Sequence, residues 1–277
     1  MNADDFGLTA GVNRGIVEAF RRGIVTSTTL MANREGFDDA VRLAGENPGL
    51  GIGVHLVLVG GHSVAPPDEV SGLVDGDGAL PASVSELQKR LLLGRIPRTS
   101  LEREVEAQIE RIREAGIEPT HLDGHKHTHV IPAVAAAASA AAGRRGLRRV
   151  RIPLETRLSS RLGAAPSRRD WLDPLVTGAR ARFGRRFYER RGFVAPEQFL
   201  GMRFCGHLDS QGVIFLLGAA SGASSELMCH PGRVDPALER ISSFTWVREA
   251  ELAALSDPEV VATFERLGLE RATFADL

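Results

Sequence analysis

Short apolar runs rich in β-branched residues alternate with amphipathic patterns along the 277 residues of the chain. The apolar runs predict strands at 24–31, 51–58, 119–123, 148–152, 199–204, 225–229 and 270–274. Helical spacing of apolar residues predicts helices near 11–22, 36–46, 84–94, 100–115, 130–142, 172–188, 210–219, 247–255 and 258–266. Alternation of this kind is typical of βα units around a mainly parallel sheet.

The amino-terminal residues depart from this pattern. Asp4 and Asp5 are followed closely by Gly7, as at the end of a strand that turns into a loop. A typical strand has about five residues, and only about three precede Asp4. The sequence therefore predicts a truncated first strand, or a true start upstream of Met1. No shift in composition marks a domain boundary, so one domain over 1–277 is expected.

Composition supports a folded domain with an uneven distribution of charge. Hydrophobic residues make up 43% of the chain and charged residues 25%, which excludes disorder, collagen and coiled coil as the main state. Between Arg144 and Arg191 there are 15 arginines and four acidic residues, which gives this segment a charge of +11. Since the net charge of the chain is −1, the remaining residues carry a charge of −12. An Arg-rich insertion is expected at about 155–195.

Within this insertion an apolar stripe at helical spacing is flanked by arginines. Its members are Leu172, Leu175, Val176, Ala179, Phe183 and Phe187. The stripe has two interpretations: a solvated helix that packs on the domain, or a basic amphipathic helix that makes peripheral contact with an anionic membrane. A homodimer is left open by the sequence.

Other features restrict the compartment and the class of function. Cys205 and Cys229 are too few for a disulfide framework, and residues 1–10 contain no apolar signal segment. A cytoplasmic protein is therefore expected. Neither a GxxxxGK[ST] loop nor a GxGxxG motif after a strand is present, and no nucleic-acid partner is predicted.

Four of the eight histidines fall within nine residues, 121–129, and alternate around Asp123. In an extended chain, positions 121, 123, 125, 127 and 129 share one face. Imidazole and carboxylate are natural ligands of Zn²⁺ and similar ions. The run therefore predicts a metal site. Since one ion cannot bind all of these side chains, some are expected to support the ligands or to contact substrate.

Further polar residues lie at predicted strand ends. Active sites of α/β barrels collect at the carboxyl ends of the strands, where Asp4, Asp5, His55, His125 and His230 are expected. There a cation could bind one carboxylate of the Asp pair, and the other could act as a base. Taken alone, His55 could equally be a core histidine. Arg151 is either one more arginine of the basic segment or the partner of a catalytic carboxylate.

Together these motifs resemble the YdjC-like carbohydrate deacetylases, which include the ChbG chito-oligosaccharide deacetylases and the hopanoid-associated HpnK proteins. The stretches that carry the resemblance are NADDFG at 2–7, GIVTSTTLM at 23–31, GVHL at 53–56, PTHLDGHKHTH at 119–129 and LMCHPG at 227–232. They occur in order across most of the chain, whereas residues 155–200 match poorly. The resemblance implies a deformed (β/α) barrel related to the polysaccharide deacetylases.

The resemblance also implies an activity, the removal of an N-acetyl group from an amino sugar with release of acetate. The substrate would be a chito-oligosaccharide or an N-acetylglucosaminyl glycolipid. Carried over residue by residue, Asp5, His55 and His125 would hold one divalent metal ion, Mg or Zn. Asp4 would be the general base and His230 the general acid.

Asp123, His127 and Arg151 carry over as residues that support the ligands or contact substrate. Two alternatives stand beside a deacetylase. The histidine pair at 125 and 127 also suits a metal-dependent phosphoesterase or amidohydrolase. A sugar-binding homologue with weak catalysis is the other alternative, because a truncated first strand would hold the Asp pair poorly, and a misplacement of about 1 Å can cost on the order of 100-fold in rate.

Overall fold

The structure is a computed structural model that describes residues 1–155 and 174–277. Its strands are β1 (Asn2–Phe6), β2 (Ser27–Leu30), β3 (Gly51–Leu56), β4 (Leu122–Gly124), β5 (Gln198–Leu200) and β6 (Ser225–Cys229). Its α-helices are α1 (Ala10–Arg22), α2 (Phe37–Gly45), α3 (Val84–Leu92), α4 (Arg98–Glu114), α5 (Pro132–Arg144), α6 (Pro174–Glu189), α7 (Ser210–Gly218), α8 (Pro236–Ile241), α9 (Trp246–Leu255) and α10 (Pro258–Arg266).

The six strands form one parallel sheet in the order β4–β3–β2–β1–β6–β5. Single bridges continue the pairing beyond its edges, from Leu122 of β4 to Val150 and from Glu155 to Phe199 of β5. The segment 149–155 thus joins the two edges of the curled sheet. This arrangement confirms the predicted deformed α/β barrel, in which parallel strands alternate with helices.

Strand β1 lies at the centre of the sheet. The sequence predicts a truncated first strand, but β1 has five residues, all buried, and pairs with β2 on one side and β6 on the other. Asp4 and Asp5 therefore lie inside a strand that is held on both sides. The concern that the Asp pair is poorly held does not apply to this structure.

The helices follow the sequence pattern closely. Each predicted helix is present, and the ends that lie within the described residues are shifted by no more than two residues. The predicted start of the helix at 172 lies outside the described residues. Side chains of Thr9, Ser83 and Asp209 accept backbone N–H groups at the starts of α1, α3 and α7. Helix α8 was not predicted, although Asp235 caps it and Pro236 occupies its first turn. Within the described ranges, no helix combines the length and the apolar character needed to cross a membrane.

The strands match less closely. β2 and β4 each begin three residues after the predicted starts at 24 and 119. Three further predictions differ more. The strand at 270–274 is wrong, because this segment leads into a short 3₁₀ turn and the Phe274 ring stacks on His121. The strand at 148–152 is reduced to single bridges. The strand from Phe199 stops at Leu200, because Gly201 has a φ of 103° and a 3₁₀ turn follows.

The Arg-rich insertion is described in part, since residues 156–173 lie outside the described residues. Helix α6 buries Ala181, Gly184 and Tyr188, and the Tyr188 hydroxyl donates to the carbonyl oxygen of His129 at 3.0 Å. Phe183, a member of the predicted apolar stripe, is 38% exposed. The helix therefore packs on a different face from the one predicted.

Candidate active site

The two aspartates of β1 reach the same end of the sheet because the backbone changes direction between them. Successive side chains of a regular strand point to opposite faces. Asp5, however, has a φ of 70°, and the pairing of β1 with β2 shifts register between Ala3 and Phe6. This break turns Asp5 toward β3 and leaves Asp4 directed toward the end of β6. Strained backbone of this kind occurs at functional sites.

Asp5, His55 and His125 form a compact cluster of metal-type donors. His55 lies near the end of β3, and His125 directly follows β4. The Oδ1 atom of Asp5 is 3.3 Å from Nε2 of His55 and 3.2 Å from Nδ1 of His125. Bonds of about 2.0–2.2 Å to one cation would place such donors roughly 3 Å apart. The spacing and the donor set, one carboxylate and two imidazoles, therefore fit a divalent cation.

The charges of the cluster follow from its neighbours. Burial by itself raises the pKa of Asp5, but the Arg248 guanidinium, 2.5 Å away, and the two imidazoles hold that pKa well below its usual range. Burial lowers the pKa of His125, which keeps this ring neutral at neutral pH. Burial also acts to lower the pKa of His55, yet the Asp123 carboxylate outweighs it and raises that pKa to about 10. A cation must therefore displace a proton from Nε2 of His55.

Asp123 fixes the orientation of the His55 ring. The two residues are direct partners in the pairing of β3 with β4, and Nδ1 of His55 lies 2.7 Å from Oδ1 of Asp123. The Thr29 hydroxyl donates to the other Asp123 oxygen at 3.1 Å, and its oxygen lies 2.9 Å from the same ring nitrogen. These contacts direct Nε2 of His55 toward Asp5. Carboxylate–histidine pairs support metal ligands in this way.

One buried arginine connects Asp4 to this cluster. Arg151 is fully buried, and its Nη1 and Nη2 atoms donate to the two oxygens of Asp4 at 2.6 and 2.7 Å. Nη1 also lies 2.7 Å from Oδ2 of Asp123. Nε donates to Glu226 at 2.7 Å. Of its two sequence interpretations, the structure agrees with the one in which Arg151 orients a carboxylate through charge-assisted hydrogen bonds.

His230 faces Asp4 from the end of β6. The register that pairs Ala3 with Cys229 brings the next residues of both strands side by side. Nε2 of His230 is 3.9 Å from Oδ2 of Asp4, which is longer than a hydrogen bond, and the His230 side chain is 12% exposed. Nδ1 of the same ring lies 3.5 Å from Sγ of Cys205. The Asp4 carboxylate and the His230 imidazole thus face each other without a direct hydrogen bond between them.

The extended alternation predicted for 121–129 is wrong beyond His125. β4 ends at Gly124, and a 3₁₀ turn spans His125–Val130. Lys126 and His127 both have a φ of 53°, so the side chains after His125 leave the shared face. In the described part of the chain, His125 is the histidine of this run that contacts Asp5.

The other three histidines of the run are buried in separate places. His121 packs against the carboxyl-terminal turn, as described above. Nε2 of His129 lies 3.0 Å from the carbonyl oxygen of Arg151, and burial lowers the pKa of His129 to about 4. The His127 ring stands edge-on to Phe199 at 6.1 Å, and burial holds its pKa well below the usual range. The role of His127 as a supporting or substrate residue stays a prediction.

Several residues of the site were not singled out by the sequence. Glu226 could have been identified, because it is a charged residue within an apolar predicted strand. Arg248 and Glu251 lie in α9 among other charged residues, so no local pattern distinguishes them. Glu251 accepts the backbone N–H groups of His230 at 2.6 Å and Gly206 at 3.2 Å. These residues are brought to the site by tertiary packing.

Comparisons with known proteins extend over the whole chain. A family model described as YdjC-like protein matches residues 1–266. A carbohydrate deacetylase from Geobacillus stearothermophilus is 35% identical over 276 residues, which cover 100% of this chain and 96% of the relative. A chitooligosaccharide deacetylase from Enterobacter sp. (strain 638) is 33% identical, with coverage of 100% and 98%.

The fold also matches a solved structure. A protein from Enterococcus faecalis V583, named as a candidate cellobiose-phosphate cleavage protein, superimposes with a TM-score of 0.81 at 26% sequence identity. The match covers 99% of this chain and 96% of that protein. The whole curled barrel, including the strands that carry the candidate site, is therefore shared between the two proteins.

Proposed function

The chain belongs to the YdjC-like protein family, and we propose that it is a metal-dependent carbohydrate deacetylase that releases acetate from an N-acetylated amino sugar. Relatives at 33–35% identity are named carbohydrate deacetylase and chitooligosaccharide deacetylase, which supports this activity. The main support for this proposal is the geometry of the site. The Asp4 carboxylate and the His230 imidazole face each other beside the cluster of Asp5, His55 and His125.

Asp5, His55 and His125 would hold one divalent cation, Mg or Zn. When bound, the cation supplies Lewis-acid chemistry, polarising an amide carbonyl and lowering the pKa of water. The protein contributes ligands that are already oriented. Asp123 holds Nδ1 of His55, and Arg248 holds one oxygen of Asp5, so the other Asp5 oxygen faces both imidazoles.

Asp4 acts as the general base. It accepts a proton from the attacking water as the bond between the water oxygen and the acetyl carbon forms. Arg151 holds both Asp4 oxygens, and Asn2 donates to one of them at 3.1 Å, so the plane of the carboxylate is fixed. Positioning of this kind lowers the entropic part of the barrier.

His230 acts as the general acid. The nitrogen of an amide is a poor leaving group until it gains a proton, so the bond between carbon and nitrogen breaks as Nε2 of His230 delivers one. The backbone N–H of His230 is held by Glu251, and the Phe244 ring stands edge-on to the imidazole at 5.5 Å. The products are acetate and the free amine of the sugar.

The roles of Asp4 and His230 are tested by the variants Asp4→Asn and His230→Ala. We expect each to lower the rate of acetate release from an N-acetylated chito-oligosaccharide by about 100-fold or more, the usual contribution of a general acid or base. Bound metal should persist in both, because neither residue belongs to the cation cluster. The exposed residues Asp38 and His207 offer matched controls, Asp38→Asn and His207→Ala, with unchanged rates.

Wild-type turnover in Asp4→Asn or His230→Ala would contradict the assigned roles. Release of inorganic phosphate from a sugar phosphate, without acetate from any N-acetylated sugar, would instead favour a phosphoesterase. Sugar binding by the wild-type enzyme without turnover would favour a binding homologue with weak catalysis.

The substrate class is either a soluble chito-oligosaccharide or an N-acetylglucosaminyl glycolipid. The outer side of α6 presents exposed Arg182 and Arg186 beside Phe183, which is 38% exposed, and exposed Arg190 lies in the turn that follows. A basic face with an apolar side chain complements an anionic lipid surface, which supports the lipid-linked alternative. A comparison of acetate release from the two substrates, each with the same sugar head, decides between them.

A further inference from the structure

A second group of metal-type donors lies on the far side of the His230 ring. Sγ of Cys205 is 3.5 Å from Nδ1 of His230, the ring nitrogen that points away from Asp4. The Glu251 carboxylate completes the group, and the three donor atoms lie within 4.8 Å of one another. Cys205 follows the turn after β5, His230 follows β6, and Glu251 lies in α9. Three separate parts of the fold therefore place sulfur, nitrogen and oxygen around one point.

The spacing of sulfur and nitrogen fits a tetrahedral cation. Bonds of about 2.3 Å to sulfur and about 2.0–2.1 Å to nitrogen, at the tetrahedral angle, put the two donors about 3.5 Å apart. The observed distance from Cys205 to His230 is 3.5 Å. Thiolate is a soft ligand and selects soft or borderline cations over Mg²⁺. This donor set therefore differs from the Asp5 cluster, which contains no sulfur.

The electrostatic surroundings also favour a cation at this point. Burial, together with the nearby carboxylates of Glu251 and Asp4, raises the pKa of the Cys205 thiol well above its usual range. Burial raises the pKa of Glu251 as well. Burial therefore destabilises the negative forms of both groups, and the nearby Arg248 guanidinium compensates them only in part. A bound cation would stabilise both the thiolate and the carboxylate.

We propose that Cys205, His230 and Glu251 form a second, inhibitory site for a soft divalent cation such as Zn²⁺ or Cd²⁺. Binding forms coordinate bonds to Sγ of Cys205, Nδ1 of His230 and a carboxylate oxygen of Glu251, and it releases to solvent the thiol proton and any proton on Nδ1 or on the Glu251 carboxyl. With Nδ1 bound to the cation, the ring cannot become the imidazolium that donates from Nε2. The inhibition rests on the proposed role of His230 in deacetylation, whereas the binding does not.

The test is a titration of the enzyme, loaded with the cation that supports acetate release, with Cd²⁺. A thiolate bound to Cd²⁺ gives an ultraviolet charge-transfer band, which the sulfur-free Asp5 cluster cannot produce. We expect the band to saturate at one equivalent, and acetate release to fall by about 100-fold as the general acid is lost. Cys205→Ser should lose the band, and its rate of acetate release should be the same with and without Cd²⁺. The matched control Cys229→Ser should show the band and the loss of rate, as the wild type does.

Absence of the band from the wild type, or an undiminished band in Cys205→Ser, would overturn the site. A saturating band with an unchanged rate would overturn its inhibitory role. Circular dichroism checks that Cys205→Ser is folded. If it is not folded, Cys205→Ala is used instead. Should the wild type release no acetate even without Cd²⁺, the proposed deacetylation fails, and a band that depends on Cys205 would still support the second site.

Discussion

At the scale of single residues, the buried Arg151 guanidinium serves three carboxylates: Asp4, Asp123 and Glu226. One positive charge cannot compensate three negative charges, so these groups compete for it. Burial raises the pKa of Glu226 to about 7, whereas Arg151 and His55 hold the pKa of Asp123 far below its usual range. Oε2 of Glu226 has no hydrogen-bond partner among the described residues. Glu226 therefore takes up a proton more readily than Asp123.

This difference predicts how stability responds to pH. The pKa of the Glu226 carboxyl is about 7 in the folded protein, against an ordinary value of 4.5. As pH rises between these two values, the carboxyl ionises in the unfolded chain before it ionises in the folded protein. The free energy of unfolding therefore falls over this range. Glu226→Gln keeps an acceptor for Arg151 and cannot ionise. Relative to the wild type, the variant should therefore gain up to about 3 kcal/mol in free energy of unfolding between about pH 5 and about pH 8.

Urea unfolding of both proteins at the two pH values measures this gain, and the exposed Glu265 provides the matched control Glu265→Gln. An equal difference between wild type and Glu226→Gln at both pH values would show that Glu226 is already ionised at the lower one.

At the scale of elements, the sequence predicted the helices and the strand-end side chains, but not the turns between them. A helix repeats a local pattern over several turns, so the described ends of the predicted helices lie within two residues of the prediction. The turn from His125 to Val130 depends on contacts from distant elements, such as the bond from the Tyr188 hydroxyl to His129. Its left-handed residues, Lys126 and His127, carry no local signal. The six-residue α8 is too short to show periodicity.

The packing of α6 against this turn can be tested by substitution of a glycine. A Cβ atom added at Gly184 would lie 2.9 Å from the β-branched side chain of Val130. Gly184→Ala should therefore lower the free energy of unfolding by about 1–3 kcal/mol, as expected for overpacking. The same change at Gly178 meets nothing closer than 3.5 Å and should stabilise α6 by roughly 0.5–1 kcal/mol. Urea denaturation measures both, and equal effects at the two positions would contradict this packing.

At the scale of the whole molecule, the curled parallel sheet assembles a site from distant parts of the chain. The contact of Arg248 with Asp5 spans 243 residues, and that of Arg151 with Asp4 spans 147. Residue types at strand ends could be recognised in the sequence, whereas Arg248 and Glu251 could not, because only the packing of α9 against α1 and α7 brings them to the site. The charge of −12 outside the Arg-rich segment also favours the approach of a cation.

In the proposed mechanism, deacetylation requires a divalent cation at Asp5, His55 and His125. The most direct test is acetate release by chelated and dialysed enzyme, followed as Mg²⁺ or Zn²⁺ is added back and bound metal is counted. We expect the metal-free enzyme to be inactive and the rate to rise with the first ion bound per chain. With Mg²⁺, which the sulfur-containing second group does not select, Asp5→Asn should recover neither the rate nor the bound metal. Acetate release at the full rate by enzyme shown to hold no metal would contradict the claim.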